Sequence, residues 1–166
     1  MTTLFMYYLG GGAKGANIEL HDVQFVAAET PEEGFPALKA GWFGDKNQVH
    51  VDSYTPITWA DGYDITLSRQ PFHGREKLWF VNVGGYLPEN PAEIHQFGLF
   101  VAENADEAKQ RAKAILLPRM FKQHKDNLHD VDDCLPLTLL ERWHLHLTPN
   151  PMGKPEAPLW QGYHPL

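Results

Sequence analysis

Two short patterns carry most of the polar chemistry in this sequence. One is Glu19-x-His21, which recurs as Glu93-x-His95; the other is His50-x-Asp52, with a looser counterpart in His129 and Asp132. An imidazole titrates near neutral pH and ligates metals, and a carboxylate beside it can orient the ring or exchange a proton with it, so these pairs suit acid–base work or cation binding. In extended backbone alternate side chains share a face, which puts Glu19 with His21 and His50 with Asp52. The simplest expectation is local: each histidine hydrogen-bonds its neighbouring carboxylate or a turn carbonyl. The sharper alternative is that His21, Asp22, His50 and Asp52 converge, which requires the strand bearing His21 to pass beside the segment bearing His50. Hydrolytic metal chemistry would then need about three ligands and an open position for water. Glu19, His21, His50, Asp52, Glu93 and His95 are the candidate ligand-binding residues, with no metal and no cofactor assigned to them.

Other chemistries are less well served. The run Gly10-Gly11-Gly12-Ala13-Lys14-Gly15 has the glycines of a phosphate loop, but its lysine is followed by glycine and the run leads into a strand rather than a helix, so a hairpin loop is expected. Ser53 and Ser68 lack a nucleophile elbow, and Cys134 sits among Asp130, Asp132 and Asp133, which disfavour a thiolate. His144, His146 and His164 are expected to be incidental and exposed. Between Lys109 and Lys125 stand six basic residues (Lys109, Arg111, Lys113, Arg119, Lys122, Lys125) and no acid, which is expected to be a solvated helix face, with an anionic ligand as the alternative. A net charge of −7 repels phosphate backbones, so no nucleic-acid partner is expected. The single cysteine excludes an intrachain disulfide, and Leu4–Leu9 is too short for a signal core or a membrane span. A cytoplasmic protein without a membrane partner is the expectation.

Several of these motifs come in pairs because the chain repeats itself. At an offset of 74, residues 4–40 match residues 78–114, with ten of 37 positions identical, among them Gly10/Gly84, Gly11/Gly85, Glu19/Glu93, His21/His95 and Lys39/Lys113. Each copy opens with an apolar strand, Leu4–Leu9 or Leu78–Val83, ended by a glycine pair, and continues with a strand near Ile18–Ala28 or Ala92–Ala102. Thr30-Pro31-Glu32-Glu33 and Asn104-Ala105-Asp106-Glu107 then predict a capped helix, weakened in the first copy by Gly34 and Pro36 and running to about Leu117 in the second, where Pro118 stops it. Past the helix the offset grows to about 80. Short extended pieces at Val49–Asp52 and Leu128–Asp132 precede a half-buried final strand, Tyr63–Leu67 or Trp143–Leu147.

The expected fold is α+β, with a duplicated strand–strand–helix–strand unit building one pseudo-twofold antiparallel or mixed sheet with helices packed on it. The chain is expected to be a single globular domain, 1–166, made of repeats at about 1–70 and 75–147 and a proline-rich tail at 148–166 that is either docked through Trp160 and Tyr163 or disordered.

The string Gly10-Gly11, Glu19-Leu20-His21-Asp22-Val23-Gln24-Phe25-Val26-Ala27, Trp42-Phe43-Gly44-Asp45, His50-Val51-Asp52 and Asp61-Gly62-Tyr63 resembles a bacterial family known as domain of unknown function 1543. The resemblance implies a domain found in one or two copies. It covers the first copy well; the second has no counterpart of Trp42-Phe43-Gly44-Asp45 and carries Arg142 in place of Gly62. With no catalytic set assembled and aromatic residues in surplus, the expected function is a non-enzymatic binding or interaction module, partnered by a small molecule, a second copy or another protein. Its rival is a small-molecule enzyme of hydrolase or isomerase type, using the His/carboxylate pairs near the junction of the repeats.

Overall fold

The computed structural model describes residues 1–117 and 129–166. The first half contains strands β1 (Thr3–Gly11), β2 (Leu20–Ala28), helix α1 (Phe35–Gly41), and strands β3 (His50–Pro56), β4 (Trp59–Ala60) and β5 (Tyr63–Ser68). The second contains β6 (Lys77–Gly85), β7 (Ile94–Ala102), α2 (Ala105–Ile115), β8 (His129–Leu137), β9 (Leu139–Leu140) and β10 (Trp143–Pro149), followed by β11 (Trp160–Pro165). No helix among the described residues is long and apolar enough to cross a membrane.

The structure is α+β with antiparallel pairing, but it has three sheets where one was expected: β11-β3-β1-β2, β7-β6-β8 and β4-β5-β10-β9. In each half the first strand pairs with the second and with the strand that follows the helix, in matching registers such as Gly10↔His21 with Gly10↔His50, and Gly84↔His95 with Gly84↔Asp130. The segments expected to be short extended pieces are therefore full sheet partners. The strands expected to finish each unit leave it instead, and β5 pairs with β10 to form a sheet drawn from both halves. The polar composition of His50–Pro56 and His129–Leu137 hid their ladder role, since each is added to an already apolar strand pair, β8 as the edge of its sheet and β3 with only β11 beyond it.

β1 and β6 are apolar on both faces because both are covered. Phe5, Tyr7 and Leu9 pack outward with Leu38, Trp42, Val49 and Val51, and Trp79, Val81 and Val83 do the same with Phe100, Ala108 and Ala112. The alternate residues point inward, where Leu4, Leu78, Phe80 and Val101 join Ile65, Leu145 and Leu147 of the shared sheet. Phe25 meets Phe80 edge-on at 5.6 Å, and Tyr8 stacks on Phe97 at 6.0 Å. The outer layers differ by a volume exchange: a Cβ on Gly34 would strike the hydroxyl of Tyr7, whereas in the second half the smaller Val81 sits where the helix carries Ala108. Tyr7 then donates from its hydroxyl to Pro31 O at 2.7 Å.

The first helix begins late, as the glycine and proline predict: Pro31–Gly34 is a 3-10 turn, and Pro36 falls in the first turn of α1, where a missing N–H costs nothing. Asn104 caps α2 by accepting from the Glu107 N–H, but Thr30 makes no such bond. Glu33 and Glu107 reach back to the N–H groups of Glu29 and Glu103, one residue ahead of the cap. Helix α2 stops at Ile115, and Leu117 turns with φ 55° while its N–H donates to Gln96 Oε1; Pro118 lies outside the described residues. The tail is docked: β11 extends the first sheet along β3, Trp160 stacks on Tyr54 at 5.7 Å, and Lys39 Nζ donates to the Leu166 carbonyl at 3.1 Å.

Asp61 ties the halves together. From the β4–β5 turn, with φ 51°, it accepts from Val101 N at 2.7 Å and from Arg111. Removing a half-buried carboxylate that satisfies a backbone N–H and a guanidinium leaves both donors unpaired, at about 1–3 kcal/mol. Urea unfolding of Asp61→Ala is expected to show a stability loss of about 2 kcal/mol; a loss below about 0.5 kcal/mol would mean that the pair is a surface contact of no consequence.

Candidate functional site

The candidate residues of the first half converge because of a bulge and a glycine. The β1–β3 register shifts between Tyr8 and Leu9, leaving Asp52 as the extra residue of β3, and Gly10 pairs with His21 on one side and His50 on the other. Both imidazoles thus flank a position with no side chain. A Cβ there would lie 2.7 Å from His50 Nε2, 2.8 Å from Glu19 Oε1 and 3.0 Å from His21 Cε1. The glycines expected to end the first strands are instead the last rungs of the ladder, and the space above Gly10 is where the polar groups meet.

Those groups form a closed circuit of alternating acids and imidazoles. Glu19 Oε1 is 2.8 Å from His50 Nε2, which is 3.1 Å from Asp52 Oδ1; Asp52 Oδ2 is 3.4 Å from His21 Nδ1, and His21 Nε2 is 3.6 Å from Glu19 Oε2. The two short legs have hydrogen-bond lengths and the longer two do not. His21 Nδ1 lies 3.1 Å from the Leu9 carbonyl, so Nδ1 carries a proton and donates it there. His50 is 5% exposed, holds its Nε2–H between two carboxylates, and has no partner for Nδ1 among the described residues. The expectation of isolated local pairs is therefore replaced by a four-residue cluster. Asp22 is not part of it, since strand alternation sends it to the opposite face from His21.

Aromatic rings frame the cluster. Tyr8 stacks on His21 at 5.2 Å, and its phenol is pushed above the usual tyrosine value, chiefly by burial, with Asp52 and Glu19 adding to it. Tyr163 from β11 lies against His50 at 4.2 Å. Beside Glu19 and His50 opens a hollow of about 480 Å³, whose other polar lining comes from Asn17, Asn47 and Gln48.

The second half repeats the layout with one exchange. Glu93 Oε2 stands 3.6 Å from His95 Nε2, and Asp132, the bulged residue of β8, brings Oδ2 to 3.1 Å from His95 Nδ1. The place of His50 is taken by Asp130, paired with Lys113 Nζ at 2.6 Å. The sequence pairing of His129 with Asp132 was thus one residue out of register, while the offset of 80 seen after the helix aligns His50 with Asp130 and Asp52 with Asp132. Glu93, His95 and Asp132 each offer a ligand atom within 4.8 Å of the others. The His21–Tyr8–Phe97 ring stack, with Phe97 two residues from His95 on one strand, puts both clusters on the inner faces beside the same junction.

Of the remaining sequence candidates, Arg111 and Lys113 of the basic run are committed to Asp61 and Asp130, and Arg119, Lys122 and Lys125 lie outside the described residues. His146 Nε2 meets Gln70 O at 2.7 Å in the shared sheet, away from both clusters. Burial pushes the Cys134 thiol up, with Asp106 adding and Lys109 opposing. Sequence reasoning named Tyr163 only as a residue that could dock the tail, and placed neither it nor Tyr8 at the site. Alternation with the glycine of β1 would have placed Tyr8 on the inner face, but nothing local ties Tyr163 to a residue more than a hundred positions earlier.

A family model described as Domain of Unknown Function (DUF1543) matches the chain twice, at residues 16–67 and 90–140. Among solved structures the chain is similar to "Crystal structure of a protein Il1583 from Idiomarina loihiensis", with a TM-score of 0.77 and 36% identity, covering 100% of this chain and 99% of that one. No curated protein matches.

Burial, the largest cause, also pushes Tyr7 upward. A raised folded value means stability that is complete below the ordinary tyrosine pKa of about 10 and is lost as pH rises further. An absorbance titration of the six tyrosines should contain two late components, one of them missing in Tyr8→Phe, with stability falling above about pH 10; uniform ionisation near 10 would contradict this.

Proposed function

We propose that this chain, which belongs to the Domain of Unknown Function (DUF1543) family and carries two copies of its domain, is a cytoplasmic, non-enzymatic binding module that takes up a small polar molecule beside His50. The observation that carries this reading is the hollow of about 480 Å³ walled by His50, Glu19, Asn17, Asn47 and Gln48. Asn17, Asn47 and Gln48 offer both donors and acceptors, while Glu19 and Asp52 make the neighbourhood acidic. The chemistry therefore favours a neutral or cationic molecule bearing hydroxyl or amino groups and disfavours phosphates. The lone cysteine fits a reducing compartment. Exposed Phe43, Tyr86, Leu135 and Leu139 offer contact surface to a second copy or a protein partner. In this reading the two repeats are related by a pseudo-twofold.

The rival enzymatic reading draws on the same circuit, since alternating imidazoles and carboxylates can pass protons in an isomerase or hydrolase. Binding without turnover separates the two. In a thermal-shift screen of polar metabolites, a ligand present at about 100 times its Kd adds roughly 2.7 kcal/mol to native stability. The expected outcome is a hit whose shift is lost in Gln48→Ala, an exposed position at the rim, and which is recovered chemically unchanged after incubation. No hit, or a shift indifferent to Gln48, counts against the site, and conversion of the hit would favour the enzyme.

A further inference from the structure

The two halves crowd the same point in space with different atoms. Above Gly10, where a Cβ would stand, lie Glu19 Oε1 and His50 Nε2, an acceptor and a donor 2.8 Å apart. Above Gly84 the corresponding point is crowded by Glu93 Oε1 and Asp132 Oδ2, two acceptors. The exchange of His50 for Asp130 took a donor out of the cluster, and Asp130 is turned to Lys113. One imidazole, His95, is left to serve two carboxylates where the first half has two.

We propose that Glu93, His95 and Asp132 bind a divalent first-row cation, which supplies in the second half the positive partner that the His50 N–H supplies in the first. The donor set of one imidazole and two carboxylates suits Mn²⁺, Fe²⁺ or Zn²⁺ and is too poor in sulfur for softer ions. Bonds of about 2.0–2.2 Å meeting at ordinary coordination angles hold ligand atoms roughly 2.9–3.6 Å apart. One ligand atom from each of Glu93, His95 and Asp132 lies within 4.8 Å of the others, so side-chain rotation closes the set onto one ion through a single imidazole nitrogen; His95 Nδ1 faces Asp132 at 3.1 Å, and its Nε2 stands 3.6 Å from Glu93, too long for a hydrogen bond. His95 on β7 and Asp132 on a bulge of β8 come from the two strands that flank β6 at Gly84, with Glu93 just ahead of β7, so the backbone holds the ligands in place. All three remain partly exposed, leaving coordination positions open to water or to a ligand atom. The glycine is part of the site, because any side chain at position 84 would fill the space into which the carboxylates reach. The first half is not such a centre: there the proton of His50 already stands between the acids. This inference is separate from the ligand hollow beside His50.

The test uses the full chain, stripped with a chelator and titrated with MnCl₂, with bound ion followed by electron paramagnetic resonance. The expected result is one saturable equivalent per chain, with nitrogen coupling from the imidazole that disappears in His95→Gln. Asp132→Asn and Glu93→Gln, both partly exposed isosteric changes, should each weaken binding at least tenfold, and Asp22→Asn, a carboxylate on the opposite face, should leave it within twofold. Absence of saturable binding, or binding unchanged in both Asp132→Asn and Glu93→Gln, overturns the proposal. So does loss in Glu19→Gln instead, which would move the ion to the first half.

Discussion

Neither half of this chain can leave its inner sheet face in water, and the architecture follows from covering those two faces with each other. Leu4, Leu78, Phe80 and Val101 are almost fully buried at the junction, with Phe25 and Phe97 packed against them. Each such side chain contributes about 1.5–3 kcal/mol on burial. The solvent-exposed ion pairs, such as Lys113 with Asp130, contribute between nothing and about 1 kcal/mol. Apolar burial therefore sets the arrangement, and the polar clusters are carried along by it. The shared β4-β5-β10-β9 sheet closes the junction from the side, which is why the last strands of the two units pair with each other and not within their own halves.

The clusters lie on the same inner faces, one strand-length further along, where the apolar side chains give way to Gly10 and Gly84. Concentrating carboxylates there has an electrostatic cost. Two like charges about 4 Å apart repel by about 1 kcal/mol in water and about 4 kcal/mol in a surface site of lower effective dielectric. The first half offsets this with His50, held between Glu19 and Asp52 and covered by Tyr163 of the docked tail. The second half has no strand over β8 equivalent to β11 among its described residues, and it has Asp130 in place of His50. One layout, present twice in the chain, thus appears with two electrostatic solutions, one closed and protein-supplied, the other open and calling for a cation.

Much of this was legible from residue patterns, because the duplication doubled each weak signal. Glu-x-His at the same place in both copies, the Asn104 cap of α2, and the late start of the first helix at Gly34 and Pro36 all followed from local rules, whereas Thr30 makes no cap bond. Sheet membership did not. His50–Pro56 and Tyr63–Ser68 both look like half-buried strands, and only packing across the junction decides which joins β1 and which crosses to the other half. The bulge at Asp52, which aims that carboxylate at His21, is a register effect with no composition signal of its own. The docking of Trp160 and Tyr163 depends on contacts more than a hundred residues away in the chain, beyond the reach of any local pattern.

The contrast between the halves can be seen directly in crystals soaked with Mn²⁺ and measured for anomalous scattering. A single peak bounded by Glu93, His95 and Asp132, with His50 still seated between Glu19 and Asp52, is the outcome this account requires. Density for the metal between Glu19 and Asp52, or an Asp132 turned away to solvent with no peak beside it, would contradict it.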